Sequence, residues 1–327
     1  MKAILCKGIG GPEVMYMGEV AKPSVQAHQI LVKVKATALN RADLAQRQGL
    51  YPPPKGESEI MGLEVAGVVE EVGSKVGDWE KGDRVFALLA GGGYAEYVVL
   101  DERLAMPIPA HLSFQEAAGI AEVFLTAYQA IVWLANLQQD ETILIHAGAS
   151  GVGTAAIQLA KKLGAKVIAT VGSPAKISHC LSLGANLVIN YKKEDFAARV
   201  KATTEGKGVD VIIDFIGASY YKQNIKSIGF DGRWVVLAML GGRMLDGFDF
   251  GRLLMKRIKM MGSTLRAREI DYKSRLIDEF RERCLPSFSD GSLKPVIDQT
   301  FDWEEVAEAH RYMAANKNIG KIILTGM

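Results

Sequence analysis

The chain has 327 residues, 49% of them hydrophobic and 23% charged, and its formal net charge is only +2. This length allows two domains with a substantial core, and the small net charge argues against nucleic acid or an anionic membrane as a partner. Three scattered cysteines match no zinc spacing and indicate a reducing compartment. Because no signal peptide or apolar membrane span is evident, we expect a cytoplasmic protein.

Residues 1–120 have the pattern of a β-rich domain, since short apolar runs alternate with turns rich in glycine and proline. The predicted strands are Ile30–Ala36, Glu64–Val72, Arg84–Leu89 and Tyr94–Leu100. A helical stretch, Phe114–Asn136, follows them.

Residues 121–266 alternate between strands and helices, which is typical of a parallel sheet with helices on both faces. The predicted strands are Thr142–Ala147, Lys166–Val171, Leu187–Asn190, Val209–Phe215, Arg233–Ala238 and Lys259–Ser263. Residues 267–327 resemble the first part again, with a final strand at Lys321–Leu324. We therefore predict an α/β fold in which a doubly wound Rossmann domain is inserted in a β-rich domain.

The segment Thr142–Gly164 carries the clearest functional signal. A buried strand is followed by the pattern Gly148-x-Ser150-x-x-Gly153 and then by a helix. This succession points backbone N–H groups at a phosphate, and Gly151 and Val152 complete the turn. Ser150 stands where the dinucleotide fingerprint usually has its second glycine. Its hydroxyl either bonds the pyrophosphate or only replaces a glycine, and the sequence leaves both possibilities open.

The second strand of this domain favours NADPH over NADH. An NAD site usually has an acidic residue about 20 residues beyond the glycine turn, where it holds the ribose. No Asp or Glu occurs in residues 142–193, whereas Ser173 and Lys176 suit a 2′-phosphate. Ser173 and Pro174 would also start a helix well, and both roles can hold together.

Several further segments are distinctive along the whole chain. They are Ala38–Leu44, Gln46–Pro54, Gly62–Val69, Gly82–Val85, Thr126–Tyr128, His146–Gly153, Asn190–Phe196, Asp231–Trp234 and Asn316–Lys321. Together they resemble the zinc-independent quinone oxidoreductases of the medium-chain dehydrogenase/reductase superfamily, and the last four resemble its tumour-suppressor-inducible branch. The resemblance implies a GroES-like fold for the β-rich catalytic domain, a homodimer, NADPH as cofactor and a small-molecule quinone as substrate.

The resemblance also predicts that no metal is bound. Zinc-dependent relatives have a zinc-binding Cys where this chain has Asn40, and a zinc-binding His where it has Leu63. Oxidation of an alcohol needs a Lewis acid to help remove the hydroxyl proton. A quinone is already a strong electrophile, so its reduction does not need one.

Candidate catalytic residues follow from the same comparison. Asn40 and Thr126 resemble positions near the nicotinamide and substrate, although Asn40 would also serve as a helix N-cap. Tyr51 precedes Pro52–Pro54, which hold its backbone, and its phenol could hydrogen-bond to or stack on a quinone. The alternative for Tyr51 is a surface tyrosine packed on proline.

The predicted cofactor-binding residues are Gly148, Ser150, Gly151, Val152, Gly153, Ser173, Lys176, Tyr191, Gly217, Leu240, Gly241, Ser263, Leu265 and Lys321. Lys176 and Tyr191, assisted by Ser173, are expected to hold the 2′-phosphate. The residues from Gly217 to Leu265 follow the carboxyl ends of predicted strands, where open α/β sheets bind ligands. Lys321 resembles a lysine that returns to the cofactor, and a solvated strand-edge lysine is its alternative.

Two other functions stay open. Reduction of the C=C bond of enals or enones would need a proton delivered to carbon, for which Tyr51 is the candidate. A non-catalytic NADPH-binding protein of the crystallin or RNA-binding type is the second. The near-neutral charge and the lack of a basic–aromatic patch argue against RNA.

Replacing Lys176 by Glu should move the cofactor preference from NADPH toward NADH, because a carboxylate would repel the 2′-phosphate. Affinities for both cofactors would be measured on the purified variant. An unchanged affinity for NADPH would contradict the assignment of Lys176.

Overall fold

The computed structural model describes residues 1–326 and divides the chain into two compact units. Unit 1 contains Met1–Leu125 and the chain from Leu265 onward, and unit 2 is Thr126–Thr264. Both ends of the chain therefore contribute to one unit, while its middle forms the other. Among the described residues, no helix is long and apolar enough to cross a membrane.

Short strands dominate the first segment of unit 1. Its elements are β1 (Lys2–Cys6), β2 (Met15–Glu19), β3 (Gln29–Ala38), α1 (Arg41–Arg47), β4 (Glu64–Val72), β5 (Arg84–Leu88), β6 (Tyr97–Asp101), β7 (Ala105–Pro107) and α2 (Phe114–Ala118). The predicted helical stretch Phe114–Asn136 is helical except for a break at Gly119 and Ile120 and at its last two residues. Gly119 caps α2, a new helix α3 begins at Ala121 and ends at Tyr128, and a π-helical segment follows over Gln129–Leu134.

Unit 2 alternates strands and helices. Its elements after α3 are β8 (Thr142–Ile145), α4 (Gly151–Lys162), β9 (Lys166–Val171), α5 (Pro174–Ser182), β10 (Leu187–Asn190), α6 (Phe196–Thr203), β11 (Val209–Asp214), α7 (Tyr221–Ser227), β12 (Ile228–Val236), α8 (Phe250–Met255) and β13 (Lys259–Gly262). Unit 1 is completed by α9 (Ile270–Ser289), β14 (Ile297–Asp302), α10 (Val306–Ala314) and β15 (Lys321–Thr325).

The sheet of unit 2 is parallel throughout, with strand order β10-β9-β8-β11-β12-β13. The strands β8 to β12 are rich in buried Val and Ile, as is typical of a parallel sheet, whereas β13 at the edge is largely exposed. The strand order reverses between β8 and β11, and ligands of doubly wound sheets bind outside the carboxyl ends of strands at such a point. The predicted α/β fold class is confirmed.

A buried carboxylate fixes the loop that follows β11. Asp214 accepts hydrogen bonds at Oδ2 from Asn224 Nδ2 (3.1 Å) and Trp234 Nε1 (3.0 Å). Its Oδ1 accepts from the backbone N–H groups of Ile216 (2.7 Å) and Gly217 (3.1 Å). Because one side chain joins the helix, the next strand and the loop, the position of Gly217 at the sheet edge is set by the core.

The larger sheet of unit 1 brings distant parts of the chain together around β3. Its order is β14-β15-β3-β4-β5-β7, with β6 also paired to β3. β15 pairs antiparallel with the end of β3, where Ile323 lies opposite Ala38, and β4 pairs with the same end, where Val65 lies opposite Thr37. The starts of β4 and β15 therefore meet the point at which β3 leads into α1.

Candidate functional site

The glycine turn of unit 2 begins α4 at the carboxyl edge of the parallel sheet. Ser150 is the N-cap residue, and its Oγ accepts a hydrogen bond from the N–H of Gly153 (3.1 Å). The N–H groups of Gly151 and Val152, in the first turn, have no acceptor within the helix. They and the positive end of the helix dipole favour a phosphate there. The Ser150 hydroxyl thus caps the helix and can still donate its hydrogen to a phosphate oxygen.

The glycines of this turn are required by close packing. A Cβ on Gly148 would lie 2.8 Å from the Cβ of Ala169 on β9. A Cβ on Gly153 would collide with the carbonyl oxygen of Ala147. Small residues therefore let the helix start tight against the sheet, which is the shape that a dinucleotide pyrophosphate needs.

The residues predicted to hold the 2′-phosphate lie around the turn between β9 and α5. Ser173 stands at the N-cap position of α5, although within residues 1–326 its hydroxyl makes no capping hydrogen bond. Lys176 is half-buried in the first turn of this helix. The Tyr191 phenol lies against Gly172, where a Cβ would be 2.8 Å from its oxygen, and Tyr191 is 42% exposed. The structure brings these three side chains to one end of the sheet.

The other predicted residues of unit 2 follow neighbouring strands. Gly217 has φ +79°, which favours glycine, and a Cβ there would lie 2.8 Å from the carbonyl oxygen of Gly242. The Gly241 N–H donates to the carbonyl of Ile216 (2.7 Å), so the two loops are joined. Leu240 is 56% exposed beside them.

Ser263 and Thr126 also belong to unit 2. The Ser263 hydroxyl, just after β13, donates to Gln129 Oε1 (3.2 Å), and Thr126 lies in α3. Leu265 is the exception, because it belongs to unit 1 and its side chain is buried.

Unit 1 contains an ion pair that is buried almost completely. Lys321 Nζ lies 2.7 Å from Glu64 Oε1, and the two side chains are 3% and 0% exposed. The ammonium also donates to Asn40 Oδ1 and to the carbonyl of Leu39, both at 2.7 Å. The alternative of a solvated lysine is therefore wrong. Since these oxygens use all three ammonium hydrogens, any contact between Lys321 and a cofactor would fall to its alkyl chain.

Asn40 has the helix N-cap position that was the alternative to a role near the substrate. It occupies the N-cap position of α1, and its backbone N–H donates to Asp43 Oδ2 (2.7 Å). Its Nδ2 donates to Glu64 Oε1 (3.0 Å) and to the carbonyl of Ala38 (3.3 Å). Both amide hydrogens are used inside the protein, so Asn40 holds Glu64 and Lys321 in place and would meet a ligand through its oxygen.

A buried guanidinium that sequence reasoning missed holds the segment around Tyr51. Arg266 donates to the carbonyls of Ala90 (2.7 Å) and Tyr51 (3.3 Å) and to Gln46 Oε1 (2.7 Å). It also lies 5.3 Å from the centre of the Tyr51 ring. Burial raises the pKa of Tyr51, so its half-buried phenol stays neutral and can donate a hydrogen bond.

Glu122 is the second functional candidate that sequence reasoning missed. It lies in the first turn of α3, and its backbone N–H donates to Glu64 Oε2 (2.9 Å). Its own Oε2 is buried and has no hydrogen-bond partner among the described residues. Burial, and then the negative charge of Glu64, raise the pKa of Glu122 to about 8. In the sequence, this role could have been suspected from the position of Glu122, a carboxyl group within an otherwise apolar segment.

Asp43 is a further buried carboxyl beside this cluster. It accepts hydrogen bonds from the backbone N–H groups of Asn40 (2.7 Å) and Gly62 (3.1 Å), and the Tyr94 hydroxyl lies 3.4 Å away. Burial raises the pKa of Asp43 to about 6 despite these donors. Within residues 1–326, no group of three or more His, Cys, Asp or Glu side chains is arranged to hold a metal ion.

Two family models match the chain. The model described as "Alcohol dehydrogenase GroES-like domain" matches residues 26–110, and the one described as "Zinc-binding dehydrogenase" matches residues 151–282. The quinone oxidoreductase of Rattus norvegicus is 31% identical over 327 residues, which cover 99% of this chain and 97% of the relative. The chain belongs to the medium-chain dehydrogenase/reductase superfamily. It is an oxidoreductase of that superfamily, with the predicted GroES-like domain.

Solved structures of the superfamily agree with this assignment. The Escherichia coli quinone oxidoreductase, complexed with NADPH, is 31% identical, and each chain covers 100% of the other with a TM-score of 0.90. The CurK enoyl reductase is 27% identical with a TM-score of 0.88, over 99% of this chain and 98% of that one. The tumour-suppressor-inducible branch stays a prediction.

Replacing Lys321 by Met should lower the free energy of unfolding by about 3–5 kcal/mol, because Glu64 would keep a buried negative charge without the cation that neutralises it. Adding Glu64→Gln should recover part of this loss, since the unpaired charge is removed. Urea denaturation at neutral pH measures both effects.

The exposed Lys162→Met is the control and should change stability by less than about 0.5 kcal/mol. A Lys321→Met protein as stable as the wild type, or a double variant no more stable than the single one, would contradict this account of the pair.

Proposed function

We propose that this protein uses NADPH to reduce quinones, without a zinc ion. The observation that carries the proposal is the combination of a phosphate-binding glycine turn with a second strand whose end lacks an acidic residue. Bound NADPH would supply a hydride, which carries two electrons, from C4 of its nicotinamide. The remaining steps of binding, orientation and protonation would fall to side chains of this chain.

The cofactor assignment is supported by unit 2. Its first α4 turn offers N–H groups to a pyrophosphate, and Ser173, Lys176 and Tyr191, at the carboxyl ends of β9 and β10, are proposed to bind the 2′-phosphate. The E. coli relative of the same fold is complexed with NADPH. Gly217, Gly241 and Ser263 line the same sheet edge and are proposed to contact the rest of the cofactor.

The substrate assignment is supported by unit 1 and by the named relatives. Several relatives that span the whole chain are quinone oxidoreductases. Asn40 and Leu63 stand where zinc-dependent members have ligands, and the Asn40 side chain is engaged with Glu64 and Lys321 instead. A quinone needs no Lewis acid to accept a hydride, so the donor set suits this acceptor.

Tyr51 is the side chain that we propose to orient the quinone. Its phenol is neutral and half-buried, and Arg266 fixes both its backbone and its ring. A neutral phenol can donate a hydrogen bond to a quinone oxygen and can stack on the quinone plane. Positioning of this kind can supply a large share of the rate enhancement when the acceptor is already reactive.

Reduction of enones is the second candidate. The likeness to the CurK enoyl reductase favours it, because that protein has the same fold over nearly its whole length. This reaction would also need a proton, delivered to carbon, and the protonated Glu122 adds a source of protons that the sequence had not suggested.

NADPH oxidation with a panel of acceptors should separate the candidate functions. We expect kcat/KM for an ortho-naphthoquinone to exceed that for trans-2-enals by about tenfold or more, because the quinone accepts hydride without help. The opposite order would make the protein an enone reductase. Tight NADPH binding with no oxidation by any acceptor would identify a non-catalytic binding protein.

We further propose that the chain forms a homodimer through the β13 edge of unit 2. Within the described residues β13 is the last strand of the sheet, so one side of it can pair with another strand. Exposed large apolar side chains are frequent in β12, in β13 and between them, and include Phe230, Met244, Phe250, Leu254, Met255 and Met260. A second copy related by a two-fold axis would cover this surface and pair β13 with β13.

Sedimentation equilibrium tests the dimer. The wild type should sediment at twice the chain mass. Met260→Lys should raise the dimer dissociation constant about tenfold or more, because the two-fold axis would bury one lysine charge from each copy. Ile9→Lys is the matched control, since Ile9 is 73% exposed in unit 1. A monomeric wild type, or a Met260→Lys protein as dimeric as the control, would contradict the proposed surface.

A further inference from the structure

We propose that Glu122 holds the proton that a quinone takes up on reduction and donates it to the reduced substrate. This inference rests on the proposed quinone reduction. It gives the site a second component besides orientation by Tyr51, namely a side chain that stores a proton.

Hydrogen bonding locates the negative charge of the cluster on Glu64. Glu64 Oε1 receives Lys321 Nζ (2.7 Å) and Asn40 Nδ2 (3.0 Å), and Oε2 receives the Glu122 N–H (2.9 Å). Donors therefore surround both oxygens of Glu64, as an ionised carboxylate requires. Glu122 Oε2, in contrast, is buried without a hydrogen-bond partner among the described residues. An ionised Glu122 would be poorly stabilised, so the proton belongs on Glu122.

The charged neighbours do not reverse this assignment. Six titratable groups interact electrostatically with Glu122. They are Glu64 in β4, Asp43 in α1, Lys321 in β15, Lys273 in α9, and Arg266 and Tyr51 in loops. Lys321 gives its hydrogens to other oxygens, and so does Arg266, while Lys273 Nζ lies 3.5 Å from the carbonyl of Arg266. Because these cations bind other oxygen atoms, burial has the largest effect on Glu122, and its pKa rises to about 8.

Glu122 is also placed to exchange its proton. Glu64 is 0% exposed, whereas the residue Glu122 is partly exposed although its Oε2 is buried. The Glu122 N–H and Asn40 Nδ2 donate to the two oxygens of Glu64, at 2.9 and 3.0 Å, so Glu122 lies close to Asn40. A proton on Glu122 would thus lie near a residue proposed to meet the substrate, and water at the exposed part of Glu122 would replace it.

Proton transfer from Glu122 would follow hydride transfer to the quinone. After a quinone has received a hydride, one of its oxygens carries a negative charge. The O–H bond of Glu122 breaks, the proton moves to that oxygen, and the electron pair of the bond stays on the Glu122 carboxylate. The carboxylate then takes a proton from water. In sum, one quinone, one NADPH and one proton give one hydroquinone and one NADP⁺.

The test compares the pH dependence of kcat/KM in the wild type and in Glu122→Gln, which is neutral and similar in shape. For the wild type, kcat/KM should fall about tenfold per pH unit above an apparent pKa of about 8, because the protonated form is required. Glu122→Gln should lack this decline and be about 10²-fold slower near neutral pH. The exposed Glu282→Gln should behave as the wild type.

A series of quinones separates proton donation from a structural role. The loss in Glu122→Gln should be largest for quinones whose hydroquinones are weak acids, and small for electron-poor quinones, whose reduced oxygens need a proton less. An equal loss for every quinone, or the same decline near pH 8 in the variant, would overturn the inference while leaving quinone reduction intact. A wild type that binds NADPH but reduces no quinone would overturn both.

Binding of NADPH, measured by fluorescence, shows whether Glu122→Gln is folded. If the variant fails to bind, Glu122→Asp replaces it in the comparison. Asp keeps an ionisable proton, so it should retain the alkaline decline at reduced kcat/KM. A profile for Glu122→Asp without any decline would contradict the role of the carboxyl group.

Discussion

The buried ion pair between Lys321 and Glu64 is the interaction on which the arrangement of unit 1 depends. It joins the last strand of the chain to β4 and, through Asn40, to the start of α1. Removing two charges from water is costly, and the cost is offset only because both groups are surrounded by hydrogen-bonding partners. With Lys321 committed to Glu64, Glu122 Oε2 has no hydrogen-bond partner among residues 1–326. The proton therefore stays on Glu122 because Lys321 is bound to Glu64.

Unit 2 applies a related principle with backbone groups. Ser150 and Asp214 each use side-chain oxygens to hold N–H groups of the turns that follow β8 and β11. The glycines allow these turns to pack against the sheet, so the edge is shaped before any ligand arrives. A site arranged in advance in this way loses little free energy to reorganisation on binding. In the proposed function, unit 1 would hold the proton and the buried charges, and unit 2 would bind the phosphates of the cofactor.

Local sequence patterns predicted much of the fold, because the periodicity of a strand or a helix can be recognised from residues that are close in the chain. The strands Glu64–Val72 and Lys166–Val171 have the predicted bounds, whereas the single helix over Phe114–Asn136 is divided after Gly119. Asn40 and Lys321 were recognised as candidates, yet their contact could not be foreseen, since they are 281 positions apart. Glu122 and Arg266 were missed for the same reason. Their importance comes from contacts with Glu64 and Ala90, which lie 58 and 176 positions away in the chain.

Burial, and then the negative charge of Glu64, keep Glu122 protonated at neutral pH. Infrared difference spectra between the wild type and Glu122→Gln, recorded as a pH titration without substrate, test this directly. We expect a C=O band of a protonated carboxylic acid at neutral pH, which is lost with a midpoint at about pH 8 as a carboxylate band appears. A carboxylate band that is already present at about pH 5, close to the ordinary pKa of Glu, would show that Glu122 is ionised at neutral pH.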